Sequence, residues 1–92
     1  MNTATRHLKI TGRVQGVGFR YDMIRVAQEL GVTGWVRNRR DGGVEAMVSG
    51  SPDAVEKIIA WARHGPGHAV VAKVEITEGS GSYASFDTLP TQ

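Results

Sequence analysis

Between Gly12 and Arg20 the chain runs Gly-Arg-Val-Gln-Gly-Val-Gly-Phe-Arg, and no other stretch restricts its fold so tightly. Upstream, Leu8, Ile10 and Val14 fall at alternate positions, the period of a half-buried strand. Downstream, Phe19, Met23, Val26, Ala27 and Leu30 follow helical spacing and make one apolar stripe. The glycines therefore sit at a turn from strand to helix. Such a turn can aim several backbone N–H groups inward, and the first N–H groups of a helix lack intrahelical partners. Glycine allows positive φ and lets an anion approach with no Cβ in the way. Arg20 adds a permanently charged planar fork suited to phosphate. An ordinary connection and an oxyanion site both fit this local pattern. Two familiar phosphate loops do not. No Gly-Lys-Ser/Thr follows, and after Gly16-Val17-Gly18 come Phe19-Arg20-Tyr21, without the third glycine of a dinucleotide fingerprint.

The 92 residues suffice for a single domain over 1–92 with one modest core. Residues 1–5 carry no strand or helix signal and are expected to form a disordered tail. The absence of cysteine excludes disulfides and thiolate metal sites. No apolar leader or membrane-length apolar run is present, so a cytoplasmic setting without membrane contact is expected. Net charge is only +2, but Arg13, Arg20, Arg37, Arg39 and Arg40 crowd two short segments. Should those segments meet, a positive patch would steer an anionic substrate. For Arg39 and Arg40 a solvated face is the simpler expectation.

The pattern along the chain predicts a strand over 6–14, a helix over 21–30 stopped by Gly31, and a strand from Val32 to Arg39. Asp41-Gly42 signals a two-residue hairpin turn, which needs positive φ at its centre. Val44, Ala46 and Val48 alternate in the returning strand. Ser51-Pro52 opens a second helix with an N-cap hydroxyl and a proline at its first position. A strand over 69–78 follows, with Val70, Ala72, Val74 and Ile76 on one side. A weaker strand over Tyr83–Leu89 ends the chain. This βαββαβ order folds into a ferredoxin-like α+β split-βαβ sandwich, an antiparallel sheet with two helices on one face. By alternation the open face carries Lys9, Arg13, Trp35, Arg37, Met47, Val71 and Lys73.

Two motifs then coincide. The run Val14-Gln15-Gly16-Val17-Gly18-Phe19-Arg20 after Gly12, and Gly34-Trp35-Val36-Arg37-Asn38 with Gly42, Val44 and Gly50, resemble the two signatures of the acylphosphatase family. They stand in the family's order, and the resemblance spans nearly the whole chain. Two places depart from the pattern. Gly65-Pro66-Gly67-His68 replaces a Gly-Pro-Pro, and the final strand Phe86-Asp87-Thr88-Leu89 is an attenuated version.

The resemblance implies a hydrolase that cleaves the carboxyl–phosphate anhydride of a small acyl phosphate without cofactor or metal. Arg20 would bind the phosphoryl group, and the backbone of Gln15, Gly16, Val17, Gly18, Phe19 and Arg20 would cradle its oxygens. Asn38 would orient the attacking water, and the substrate's own phosphate would accept the water's proton. Inorganic phosphate would be product and competitive inhibitor, and a monomer is expected. The residue chemistry agrees, because phosphoryl transfer needs positioning and charge stabilisation more than a covalent partner. His7, His64 and His68 lack metal-ligand spacing. Trp35 suits cover of apolar surface better than ligand stacking, and Arg37 alternates away from Asn38. An anion-binding module without turnover and a single-stranded RNA binder compete with the enzyme. The retention of both Arg20 and Asn38 disfavours the first. The lack of an aromatic in the first strand disfavours the second, so no nucleic-acid partner is expected.

Overall fold

In the computed structural model, which describes residues 2–92, β1 (Ala4–Arg13) leads through the glycine turn into α1 (Phe19–Leu30). β2 (Thr33–Asn38) and β3 (Val44–Gly50) form a hairpin, and α2 (Pro52–Ala62) crosses to β4 (Val70–Glu78). β5 (Phe86–Thr88) is short. The sheet order is β4-β1-β3-β2-β5. The first four strands pair antiparallel, as the βαββαβ order requires, while β5 runs parallel to β2 and makes the sheet mixed. β1 starts earlier than expected. Ala4 and Thr5 pair with Gly50 and Ser49, so these two residues of the expected tail are sheet; Met1 lies outside the described residues.

One core lies between the sheet and both helices. Leu8, Ile10, Val36, Val44, Ala46 and Val48 supply it from the strands. Phe19, Met23 and Ala27 supply it from α1, and Val55, Ile58 and Ala62 from α2. Each of the larger side chains, fully withdrawn from water, contributes about 1.5–3 kcal/mol. Phe19 also packs on Trp61, with ring centroids 5.1 Å apart, which seats the start of α1 on α2. The Ser51 hydroxyl accepts the Ala54 N–H at 3.2 Å, as an N-cap should.

Alternation fails in β4. Val70 is exposed and Ile76 partly so, whereas Val71 packs on the core. The cause is a bulge opposite Thr11 and Gly12. Register runs Thr11 to Lys73 but Gly12 to Val71, so one extra residue of β4 is spent and the inward side switches. Gly12 makes this possible, since a Cβ there would collide with the Val70 carbonyl. The β2–β3 turn differs as well. Arg39 and Gly43 close the hairpin through a 2.8 Å N–H to carbonyl bond, and Gly42 donates to the Arg39 carbonyl at 3.1 Å. Three residues thus form the loop, and only Gly42, at φ 96°, is left-handed. This is the three-residue form of hairpin loop, and Asp41 instead ties it shut by accepting the Gly43 N–H at 2.9 Å.

Candidate active site

Helix α1 begins at Phe19, two residues before the start expected from its pattern, because Phe19 belongs to the buried stripe and pulls the turn in. Its cap is Gly18 at φ 80°, with no side chain satisfying the first turn. Among the described residues, no main-chain N–H from Gln15 through Tyr21 donates a hydrogen bond within the chain; the first to do so is Asp22, to the Gly18 carbonyl. Gly16 and Gly18 both hold positive φ, and a Cβ at either would project into open space. The glycines are therefore there for backbone shape, and the space over them is left free.

That space is a cleft of about 290 Å³ lined by Val14, Gly16, Gly18, Phe19, Arg20, Tyr21, Ile24, Asn38 and Thr88. The end of β2 thus brings Asn38 to the same cavity as the glycine turn. Arg20 is half-buried, and among the described residues its guanidinium has no hydrogen-bond or ion-pair partner. Its charge is left for whatever enters. The cleft offers unpaired N–H groups, one unneutralised guanidinium and one carboxamide, and its lining includes no carboxylate, imidazole or thiol. Such a set suits a tetrahedral oxyanion and has no ligand type that favours a transition metal. Among the described residues there is also no cluster of three or more His, Asp or Glu elsewhere.

Of the residues expected in the site, Gly16, Gly18, Phe19, Arg20 and Asn38 line the cleft, while Gln15 and Val17 do not. Val17 packs on the core margin. The Gln15 side chain turns away and donates to the carbonyls of Arg39 at 2.6 Å and Gly43 at 2.8 Å. Thr88, Tyr21 and Ile24 were not singled out from sequence. Thr88 arrives through the parallel pairing of β5 with β2, for which the chain carries no local signal. Tyr21 and Ile24 follow once the helix starts at Phe19.

The five crowded arginines do not merge into one patch. Arg20 alone of them lines the cleft. Arg37 and Arg39 instead converge on Glu45, a buried acid on the open face of the sheet, at 2.7 and 3.2 Å. His7 Nε2 reaches the other carboxylate oxygen at 2.5 Å. Burial is the largest single influence on this carboxyl and pushes its pKa up. The hydrogen bonds and charges of Arg37 and His7 outweigh it and hold the pKa down at about 2. Arg37 also stacks over Trp35, 4.7 Å from the ring centroid, so the open-face tryptophan is covered by its own neighbours.

The acylphosphatase family model matches residues 6–88. This chain belongs to the acylphosphatase family. Among its relatives, the acylphosphatase of Thiobacillus denitrificans is 54% identical over 83 residues, covering 90% of this chain and 93% of the relative. That of Pyrobaculum arsenaticum is 52% identical, covering 99% of both. Among solved structures, an acylphosphatase from Coxiella burnetii superposes with a TM-score of 0.91 at 35% identity, covering 96% of this chain and 94% of that one. Full-length HypF, solved in a phosphate- and nucleotide-bound form, matches with a TM-score of 0.89 at 27% identity. This chain aligns over 98% of its own length but over only 12% of the HypF chain. An acylphosphatase-like unit therefore also stands within a much larger protein, whereas the Thiobacillus and Pyrobaculum acylphosphatases are nearly co-extensive with this chain. The family places the chain among the hydrolases, and its fold is the ferredoxin-like sandwich expected from the element order.

Proposed function

We propose that this enzyme hydrolyses small acyl phosphates to carboxylate and inorganic phosphate in the cleft between the glycine turn and Asn38. The observation that carries the reading is the opening of both motifs onto one cavity, with the turn's N–H groups and the Arg20 guanidinium unpaired. The N–H groups of the turn and of the first turn of α1 take the phosphoryl oxygens, and Arg20 forks onto them. The positive end of the α1 dipole adds to the same field. Asn38 offers an acceptor and a donor to hold a water in line with the anhydride oxygen. The water oxygen bonds to phosphorus as the phosphorus–oxygen bond to the acyl group breaks. The electron pair leaves on the carboxylate, and the water's proton passes to a phosphoryl oxygen. No protein base is needed, because the leaving carboxylate is weakly basic and the phosphate itself takes the proton. Positive potential from the turn and Arg20 replaces what a divalent ion supplies in many phosphoryl-transfer enzymes.

The enzyme works in this reading as a cytoplasmic monomer that binds neither nucleic acid nor membrane. On the open face Arg37 stacks on Trp35 and pairs with Glu45, which supports the lack of a nucleic-acid partner, since an RNA-stacking platform needs its aromatics free. Among the described residues no helix is long and apolar enough to cross a membrane. The deciding experiment measures benzoyl phosphate hydrolysis and inhibition by inorganic phosphate in the wild type and in Asn38→Ala. Asn38→Ala is expected to lower kcat strongly and leave competitive inhibition by phosphate in place, the pattern of an interaction made in the transition state. Phosphate binding lost with kcat preserved would make Asn38 a substrate ligand instead of a water holder.

A further inference from the structure

We infer that the Gln15 side chain is a positioning residue that sets the distance between the phosphate loop and Asn38. The inference rests on the reading above, in which the loop and Asn38 are the two halves of the site. Gln15 is the residue just ahead of Gly16, yet its side chain is not in the cleft. Its single amide nitrogen donates to the Arg39 carbonyl at 2.6 Å and to the Gly43 carbonyl at 2.8 Å. A carboxamide nitrogen has two N–H bonds, so both are spent on this pair. The two carbonyls belong to the residues that close the β2–β3 hairpin, where the Arg39 N–H also donates to Gly43 at 2.8 Å. Asn38 is the residue immediately before Arg39. One side chain therefore clamps both strands of the hairpin to the loop at the point where Asn38 leaves the sheet.

Lys9 of β1 also reaches the hairpin tip, pairing with Asp41 at 2.7 Å, but that tie is exposed and does not start from the loop. β1 and β2 are not neighbours, because β3 lies between them. The register of β1 on β3 ends at Ile10 and Val44. Beyond those residues the loop and the hairpin tip have left the ladder, and Gln15 bridges the gap. Position matters steeply in such a reaction, since a misplacement of about 1 Å can cost on the order of 100-fold in rate. The N–H cradle and Arg20 bind phosphate without reference to the hairpin. A slackened clamp should therefore affect chemistry more than phosphate binding.

The test is a double-mutant cycle on the full chain with benzoyl phosphate as substrate and inorganic phosphate as inhibitor. Gln15→Met keeps length and volume but removes both donors. It is expected to lower kcat by about tenfold or more while KM and the phosphate inhibition constant move by less than about threefold. In the Asn38→Ala background the same change should cost less than about threefold, because the residue it positions is gone. Gln15→Asn, an amide one methylene too short to reach both carbonyls, is the second variant and serves if Gln15→Met does not fold. Wild-type kcat in a folded Gln15 variant overturns the proposal. So does an undiminished effect in the Asn38→Ala background, and that result leaves the assignment of Asn38 standing. Wild-type kcat in Asn38→Ala itself defeats that assignment and the clamp together.

Discussion

Arg37 and Asn38 are neighbours on β2 whose side chains serve opposite faces of the sheet. Asn38 lines the cleft beside Phe19 and Thr88. Arg37 lies on the open face, paired across the strands with Glu45 and bonded to it at 2.7 Å. The strand thus carries a cleft residue and a structural anchor in consecutive positions, and the two can be tested apart.

The anchor should show in acid. The Glu45 carboxyl falls from 4.5 to about 2 in the folded chain, with Arg37 and His7 overcoming the effect of burial. A folded-state pKa below the unfolded one stabilises above the unfolded pKa, and that stability fades as pH falls from about 4.5 through about 2. At neutral pH the contribution is about 3 kcal/mol. Urea unfolding measured across this range should show the loss in the wild type and a flatter profile in Glu45→Gln, which starts less stable. Parallel profiles for the two proteins would contradict the assignment.

Arg20→Lys keeps the charge and removes the fork. Because Arg20 has no hydrogen-bond or ion-pair partner among the described residues to lose, stability should be unchanged within about 0.5 kcal/mol. Activity should fall about 10²–10³-fold, the cost of losing an oriented transition-state contact. Steady-state kinetics beside a thermal melt separate the two effects, and near-normal turnover would remove Arg20 from the phosphoryl site.

Gly18 and Gly31 cap opposite ends of α1 with nearly the same backbone, φ 80° and 73°, and a Cβ at either would meet no neighbouring atom. Alanine at either position should cost a similar amount, about 1–3 kcal/mol of backbone strain. Only Gly18→Ala should also lose activity, because only there does the methyl group enter the cleft. Equal kinetics for the two folded variants would argue against the loop as the phosphate cradle.

Activity should survive excess chelator and should vary little with pH near neutrality through the protein's own groups. The cleft holds no carboxylate or imidazole to bind a metal or to titrate. Dialysis against chelator followed by a divalent-ion add-back checks this. Activity lost and then restored by the ion would contradict the mechanism.

Much of this site was legible because its signals are local. Strand alternation, two glycines and a helical stripe each announce themselves within a few residues, Asn38 is marked by the resemblance of Gly34 to Gly50 to the family's second signature, and the fold only had to bring them together. Glu45 was not legible. On the sequence it is one polar residue in an alternating strand, and its role depends on register with Arg37 across β2 and with the His7 region across β1. The inward turn of Val71 depends on a bulge opposite Gly12. Thr88 depends on a parallel partner. The clamp by Gln15 joins positions 24 and 28 residues apart in the chain. Each of these is fixed by long-range pairing, which short-range periodicity does not carry.

The unpaired N–H groups from Gln15 to Tyr21 also bear on how stability is reported. A loop that binds phosphate when folded and not when unfolded draws the folding equilibrium toward the native state. The gain is about 2.7 kcal/mol when the anion stands at 100 times its dissociation constant. A melting curve taken in phosphate buffer and one taken in an amine buffer would then describe two different equilibria. Comparisons between variants of the cleft are meaningful only at a fixed phosphate concentration, since a weakened cradle would register as an unstable fold.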